Sequence, residues 1–213
     1  MADFKSNFRD RYHHPNVVVS MDADLEFGVP YIQSYFEDQI RRGTEFRAGE
    51  TVQIGWMIVM LKADASGDLE IWEPRFGTVP IEWVRGVSNT YRQLMVQKTV
   101  GEQIGVEPMF PSLRQSAVVS PDFFSVRRIC MLRSASQGAD SGWVFSAGGD
   151  VREGGKVCSL FEIGGNRPDV IPFLALPAGA SVVCADGEVE IQYGERVVNS
   201  NSNQFLKMLL RDY

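Results

Sequence analysis

Ser181-Val182-Val183-Cys184-Ala185-Asp186-Gly187-Glu188-Val189-Glu190-Ile191-Gln192-Tyr193 is the stretch whose reading decides the fold class. Two short apolar runs, Ser181 to Ala185 and Val189 to Tyr193, flank Asp186-Gly187. That dipeptide suits a two-residue hairpin turn, because both of its positions tolerate positive φ. A hairpin implies an antiparallel sheet. Three more short apolar runs, Ala117 to Ser120, Val126 to Leu132 and Trp143 to Ser146, supply further strands. Ser159 to Gly165, ended by Gly164-Gly165, and Asp169 to Leu176, bounded by Pro168 and Pro177, read as short helices. The composition of Gly148 to Gly155 is that of a loop. After the polar stretch Asn199 to Asn203, Phe205, Leu206, Leu209 and Leu210 suit a small helix with one apolar face.

Upstream, Pro108-Met109-Phe110-Pro111 breaks periodicity twice within four residues, since each Pro restrains itself and the residue before it. A domain boundary is expected there, giving residues 1–110 and 111–213. Before it, from Val84 onward, Val87, Tyr91, Leu94, Met95 and Ile104 predict an amphipathic helix ending near Gly105. Pro30 followed by Tyr31, Ile32, Tyr35, Phe36 and Ile40, closed by Gly43, predicts another, with Pro in its first turn and Gly past its end. Between these helices, Val52 to Leu61 and Leu69 to Trp72 flank Ala65-Ser66-Gly67-Asp68 as a hairpin. Both halves therefore read as α+β: two small domains, each an antiparallel sheet with packed helices. Residues 1–14 are expected to be flexible.

Composition narrows the function. The 213 residues carry a net charge of −6 and a pI of about 5.0, with the excess of acids in the first half. A nucleic-acid binder must neutralise phosphates, so a direct nucleic-acid ligand is disfavoured and a basic partner is favoured. The longest apolar run, Ile54 to Leu61, is far short of the roughly 20 residues that span a bilayer. It reads as a buried strand, and no membrane partner is expected. Met1 to Asp10 carries Lys5 and Arg9 with no apolar core behind them, so a chain that stays in the cytoplasm is expected. Cys130, Cys158 and Cys184 are odd in number, have no CxxC spacing and lie among apolar neighbours. They read as small core residues in a reducing compartment.

A search for chemistry finds little. The two histidines, His13 and His14, are adjacent in a polar segment and read as surface residues. No GxSxG, HExxH or Walker motif occurs, and no strand leads into GxGxxG. No catalytic residue, metal or cofactor is therefore expected. The Gly148-Gly149 and Gly154-Gly155 pairs could cradle an anion, but Asp150 and Glu153 oppose Arg152 and Lys156, which favours a plain loop. Asp22, Asp24 and Glu26 alternate with Ala23, Leu25 and Phe27, placing three carboxylates on one face of an extended segment. That face is a solvated strand edge, an acidic contact patch or, in a carboxylate-dependent hydrolase, a source of acid and base. Trp56 and Trp72 lie inside apolar runs and read as core. Trp83 and Trp143 follow Glu82 and Gly142 and fit either core packing or a half-buried interface anchor.

The run Ser141-Gly142-Trp143, then Cys158-Ser159-Leu160-Phe161-Glu162, then Asp169-Val170-Ile171-Pro172-Phe173-Leu174-Ala175-Leu176-Pro177 resembles the immunity protein 33 family, whose C-terminal domain was long of unknown function. In the first half, Glu50 to Trp56, Glu73 to Phe76, Pro80 to Val84 and Leu94 to Lys98 resemble the domain that usually precedes it. Relatives tend to carry an acidic, histidine-containing loop after Ser-Gly-Trp, where this chain keeps Asp150 and Glu153. The resemblance implies an immunity protein that neutralises an antibacterial toxin, delivered by a contact-dependent or type VI-like secretion system, through stoichiometric binding. With no leader expected, the implied toxin acts in the cytosol. A nuclease is the leading candidate, because its basic surface suits an acidic inhibitor. The expected toxin contacts are Asp22, Asp24, Glu26, Trp143, Asp150 and Glu153. A regulatory protein-binding scaffold and the hydrolase are the alternatives.

Overall fold

A computed structural model describes residues 1–148 and 154–209. The chain divides into two compact units, Met1–Leu94 and Met95–Tyr213. The division falls inside a helix, Ser88–Ile104, whereas the prolines Pro108 and Pro111 lie beyond that helix. No helix among the described residues is long and apolar enough to cross a membrane.

The first unit is built on a six-stranded sheet. Its strands are β1 (Ala2–Lys5), β2 (Val17–Met21), β3 (Thr51–Ile54), β4 (Met57–Ala63), β5 (Leu69–Pro74) and β6 (Trp83–Arg85), in the order β1-β2-β5-β4-β3 with β6 also paired to β5. The β2–β5 pair is parallel and the others are antiparallel. Residues 1–14, expected to be flexible, form β1 and a short helix, α1 (Phe8–Tyr12), and the buried Phe8 anchors them. The single strand expected over Val52–Leu61 is two strands, because Gly55 at φ +61° turns the chain. The helix α2 (Val29–Arg41) has Pro30 in its first turn, and Gly43 at φ +93° lies just past its end. It buries Ile32 and Phe36. The core is completed by Val17, Val19, Met21, Val59, Leu61 and Ile71 from one face of the sheet.

The second helix, α3 (Ser88–Ile104), starts later than its apolar spacing suggests, because β6 takes up Trp83–Arg85. Glu73 at the end of β5 accepts hydrogen bonds from the Asn89 and Thr90 amides and the Thr90 hydroxyl. It thereby caps the orphan donors of the first turn of α3.

The second unit holds a seven-stranded sheet. Its strands are β7 (Ser116–Val119), β8 (Ile129–Arg133), β9 (Asp140–Ser146), β10 (Lys156–Ser159), β11 (Ala180–Ala185), β12 (Glu188–Tyr193) and β13 (Arg196–Asn199), ordered β10-β7-β9-β8-β11-β12-β13. Only β7–β9 is parallel among these pairs. Asp186 at φ 53° and Gly187 at φ +77° make the β11–β12 turn, as the sequence predicts. After β10 comes α4 (Leu160–Asn166), whose cap Ser159 accepts a 3.1 Å hydrogen bond from the Glu162 amide. The segment expected as a helix over Asp169–Leu176 is a 3-10 helix, Pro168–Phe173, and α5 (Gln204–Leu209) buries Leu206 and Leu209.

One face of this sheet is core: Ile129, Met131, Trp143, Phe145, Val182, Val189 and Ile191 are buried there. Arg133 points the same way and is 6% exposed. Its Nη1 donates to the carbonyls of Met109 and Leu174 at 2.6 and 2.9 Å and to that of Leu176. The guanidinium thus gathers the irregular chain around Leu174 onto the sheet, and desolvation lowers its pKa to about 10.

Candidate partner-binding surface

The three carboxylates Asp22, Asp24 and Glu26 do not line an extended strand. The strand β2 stops at Met21, and residues Ala23–Gly28 form a 3-10 helix. The turn is fixed by the Asp22 amide, which donates to Ser88 Oγ at 2.9 Å. Gly28 is also required, since a Cβ there would meet the Tyr91 ring at 2.3 Å. The result brings Asp22 and Asp24 to one cation: Arg92 Nη2 lies 3.0 and 3.4 Å from their carboxylates. Glu26 is exposed in the same turn. Beside them stands an aromatic that the sequence reading passed over, Phe27, 68% exposed and packed edge-on against Tyr91. Its signal was an aromatic on a short acidic segment, a combination suited to interfaces.

Trp143 is fully buried, so of its two readings core packing holds, and the half-buried anchor that made it an expected toxin contact does not. Its indole N–H donates to the Leu174 carbonyl at 3.0 Å, and its ring stacks on Phe145. Gly142 before it had suggested an open site. In fact Gly142 sits at φ +77°, and a Cβ would meet the Ser134 carbonyl oxygen at 2.2 Å, so glycine is needed for close backbone approach. Asp150 and Glu153 lie outside the described residues. Trp56 is core, as expected; Trp72 is half-buried beneath the Lys62 ammonium, 3.7 Å from its ring centre, and Trp83 is half-buried.

The histidines separate. His13 is exposed at the end of α1, but His14 is buried, contrary to a surface role. Its Nε2 accepts from the Phe46 amide at 2.9 Å and its Nδ1 lies 2.7 Å from the Pro15 carbonyl, which requires the proton on Nδ1. Among the described residues no group of three or more His, Cys, Asp or Glu could hold a metal ion. The three cysteines are free; Cys158 is buried, while Cys130 and Cys184 are partly exposed. Burial pushes the Cys184 thiol up to about 12, an unreactive state.

Among the described residues two carboxylates are buried, Asp68 and Glu73, and both serve the fold. Burial raises the pKa of Glu73 even against its hydrogen bonds from Thr90 and Asn89. Asp68 shows the opposite balance: burial pushes its pKa up, but hydrogen bonds from Lys5 and Ser66 and the charges of Arg9 and Lys5 leave it lowered. A cleft of about 710 Å³ in the second unit is lined by Arg127, Arg128, Arg167 and Asp169. Its innermost cation is engaged already: Arg167 pairs with Asp169 through two hydrogen bonds of 3.0 and 2.7 Å and donates to the Phe123 and Val126 carbonyls.

These features define a two-unit α+β protein whose buried ionisable groups are committed to holding strands, caps and loops. Within it, residues 96–195 match the model of the Imm33-like domain, a span that lies inside the second unit. The Ser141-Gly142-Trp143, Cys158–Glu162 and Asp169–Pro177 segments fall inside the match, and the segments Glu50–Trp56, Glu73–Phe76 and Pro80–Val84 fall outside it. No curated protein and no solved structure matches the chain.

Proposed function

We propose that this chain is a cytoplasmic immunity protein that binds a cognate secreted antibacterial toxin and neutralises it by stoichiometric occlusion, with a cytosol-acting nuclease as the toxin. The observation that carries the reading is the Imm33-like domain at residues 96–195. The net charge of −6 supports a basic partner, because an acidic inhibitor can occupy the surface that a nuclease offers to phosphates. Asp22, Asp24 and Glu26, with the exposed Phe27 beside them, are proposed contacts in the first unit, where an aromatic flanked by charge suits an interface hot spot. Asp150 and Glu153 complete the proposed acidic contacts. The hydrolase alternative draws no support from Glu73, the described carboxylate with a raised pKa, because its oxygens are engaged by the first turn of α3.

The test is co-expression with the product of the toxin gene beside this one in the producing bacterium. Restored growth, a purified one-to-one complex and loss of DNA or RNA cleavage on mixing are the expected results. A toxin that kills equally well with and without this chain, and that forms no complex with it, overturns the immunity reading. A neutralised toxin with no nuclease activity overturns only the nuclease assignment.

A further inference from the structure

The register of the second sheet places four apolar side chains from four different strands in one row on the face away from its core. Val157 of β10 is paired with Val118 of β7, Val118 with Val144 of β9, and Val144 with Leu132 of β8. Three of them sit between inward-facing neighbours, Ala117 and Val119 around Val118, Trp143 and Phe145 around Val144, Met131 and Arg133 around Leu132, and Val157 follows by its pairing with Val118. By strand alternation the row therefore points outward. Val157 is 73% exposed and Leu132 56%, with Val118 and Val144 partly exposed. An antiparallel sheet with one solvated face normally fills that face with polar residues, so a continuous apolar row there needs a reason.

The same face changes character toward β12. Leu132 pairs with Ser181, and next to that pair lie Cys130 and Val183, followed by Glu190 across from Val183 and Glu188 across from Ala185. Val183, Ala185, Asp186, Glu188 and Glu190 line a shallow cleft of about 370 Å³, with Arg128 on its rim. Three carboxylates there face one guanidinium. The Asp and Glu residues are exposed and form no ion pair among the described residues.

We infer that this outer face docks the toxin, taking an apolar patch of its surface along the Val157–Val118–Val144–Leu132 row and one of its basic side chains between Glu188 and Glu190. The inference rests on the immunity reading above and deepens it by adding a contact surface on the second unit to the acidic contacts already proposed. Charge complementarity selects the occupant: a basic protein satisfies the Glu188 and Glu190 carboxylates, whereas a second copy of this chain brings the same acidic cleft to the contact and gains no cation from it. The row supplies the dehydrated centre that interfaces need, and the carboxylates supply orientation and association rate.

The experiment titrates the purified toxin of the neighbouring gene into this chain and into Leu132→Asp, Glu188→Lys/Glu190→Lys and Glu102→Lys variants, each first checked for an unchanged melting curve; Glu102 is exposed on α3, outside the cleft. The expected result is a loss of roughly 30-fold or more in affinity for the first two, the size of a hot-spot truncation, and near wild-type affinity for Glu102→Lys. Should Leu132→Asp fail to fold, Val157→Asp on the edge strand carries the same reading. Wild-type binding with unchanged affinity in the face variants overturns the docking face and leaves the immunity function standing. Absence of wild-type binding overturns both. Sedimentation of the chain alone decides against the second copy: a dimer that Leu132→Asp converts to monomer overturns the inference.

Discussion

On the outer face of the first sheet Arg85 reaches Glu70 and Asp3, both at 2.8 Å. Ser20 donates to Asp3, the Trp72 indole donates to Glu70, and Lys62 lies over the Trp72 ring. The corresponding face of the second sheet presents Val157, Val118, Val144 and Leu132 in a row, with carboxylates at one end. Both faces are open to water, and both contain large side chains. The first answers its own charges across neighbouring strands, so nothing on it asks for a partner. The second leaves apolar area and carboxylates unanswered, and its strongest polar tie lies on the other side of the sheet, where Arg133 holds three carbonyls. Polar lattices of the first kind stabilise a fold modestly, whereas an exposed row of the second kind contributes little to the fold and suits association.

Removing Arg133 is the severest way to probe the difference. Arg133→Met strands three carbonyl acceptors under the second sheet, and each orphaned buried acceptor costs ~1–3 kcal/mol. The gain from no longer burying a cation offsets part of this. A net loss of about 3 kcal/mol in the second unit is expected, read as a lowered urea midpoint by fluorescence of Trp143, whose indole donates to the Leu174 carbonyl of the same segment. A loss within ~0.5 kcal/mol means the carbonyls find water and the tie is dispensable.

Asp68 comes next, at the base of the first sheet. Its carboxylate has no exposed side-chain surface and binds Lys5, Arg9 and Ser66, joining β1 and α1 to the β4–β5 turn. Asp68→Asn keeps the shape and removes the charge, and a loss of about 2 kcal/mol is expected for a buried group with charged partners. The pH dependence has a definite sign. A carboxylate whose pKa is lowered in the folded state contributes stability above its ordinary value and loses it as pH falls through the folded one. The gap between wild type and Asp68→Asn in denaturation should therefore be open at neutral pH and closed well below the ordinary carboxylate range. A gap that does not vary with pH assigns the effect to geometry instead.

The elements legible in sequence were those fixed locally. Asp186-Gly187 specifies its hairpin because both residues accept positive φ, and Pro30 with Gly43 brackets α2 because each acts on the backbone where it stands. The Asp22–Asp24–Glu26 alternation misled because a period of two fits a strand, while the chain here is turned by the Ser88 hydroxyl and the Tyr91 ring, both more than sixty residues away. Trp143 was ambiguous for the same reason: Gly142 marks close approach to Ser134, a contact invisible without the β8–β9 pairing. The apolar row on the second sheet was beyond reach entirely. Val118, Leu132, Val144 and Val157 are separate in sequence, and only the register, with β7 parallel to β9, sets them side by side.

Arg85→Ala tests whether the polar lattice of the first face acts as a unit. The guanidinium is partly exposed and meets two carboxylates, Glu70 and Asp3. Exposed ion pairs are worth ~0.2–1 kcal/mol each, so about 1 kcal/mol is expected, falling in high salt. A cycle with Asp3→Ala should be non-additive, since both variants remove the same pair. Strict additivity would separate the lattice into independent contacts and weaken the contrast between the two faces.

The smallest expected effect is the most informative one. Leu132→Thr removes apolar surface from the β8 end of the second sheet's outer row while keeping a residue that strands favour. If the row served the fold, Leu132 would behave as a core leucine and the change would cost on the order of 2 kcal/mol or more. At 56% exposure it keeps much of its contact with water in the folded protein, so a change within ~0.5 kcal/mol is expected in urea melts. Stability that ignores Leu132 while toxin affinity responds to Leu132→Asp separates the two demands on one side chain. The core face of the sheet would then be what folds the unit, and the outer row what the folded unit offers to a partner.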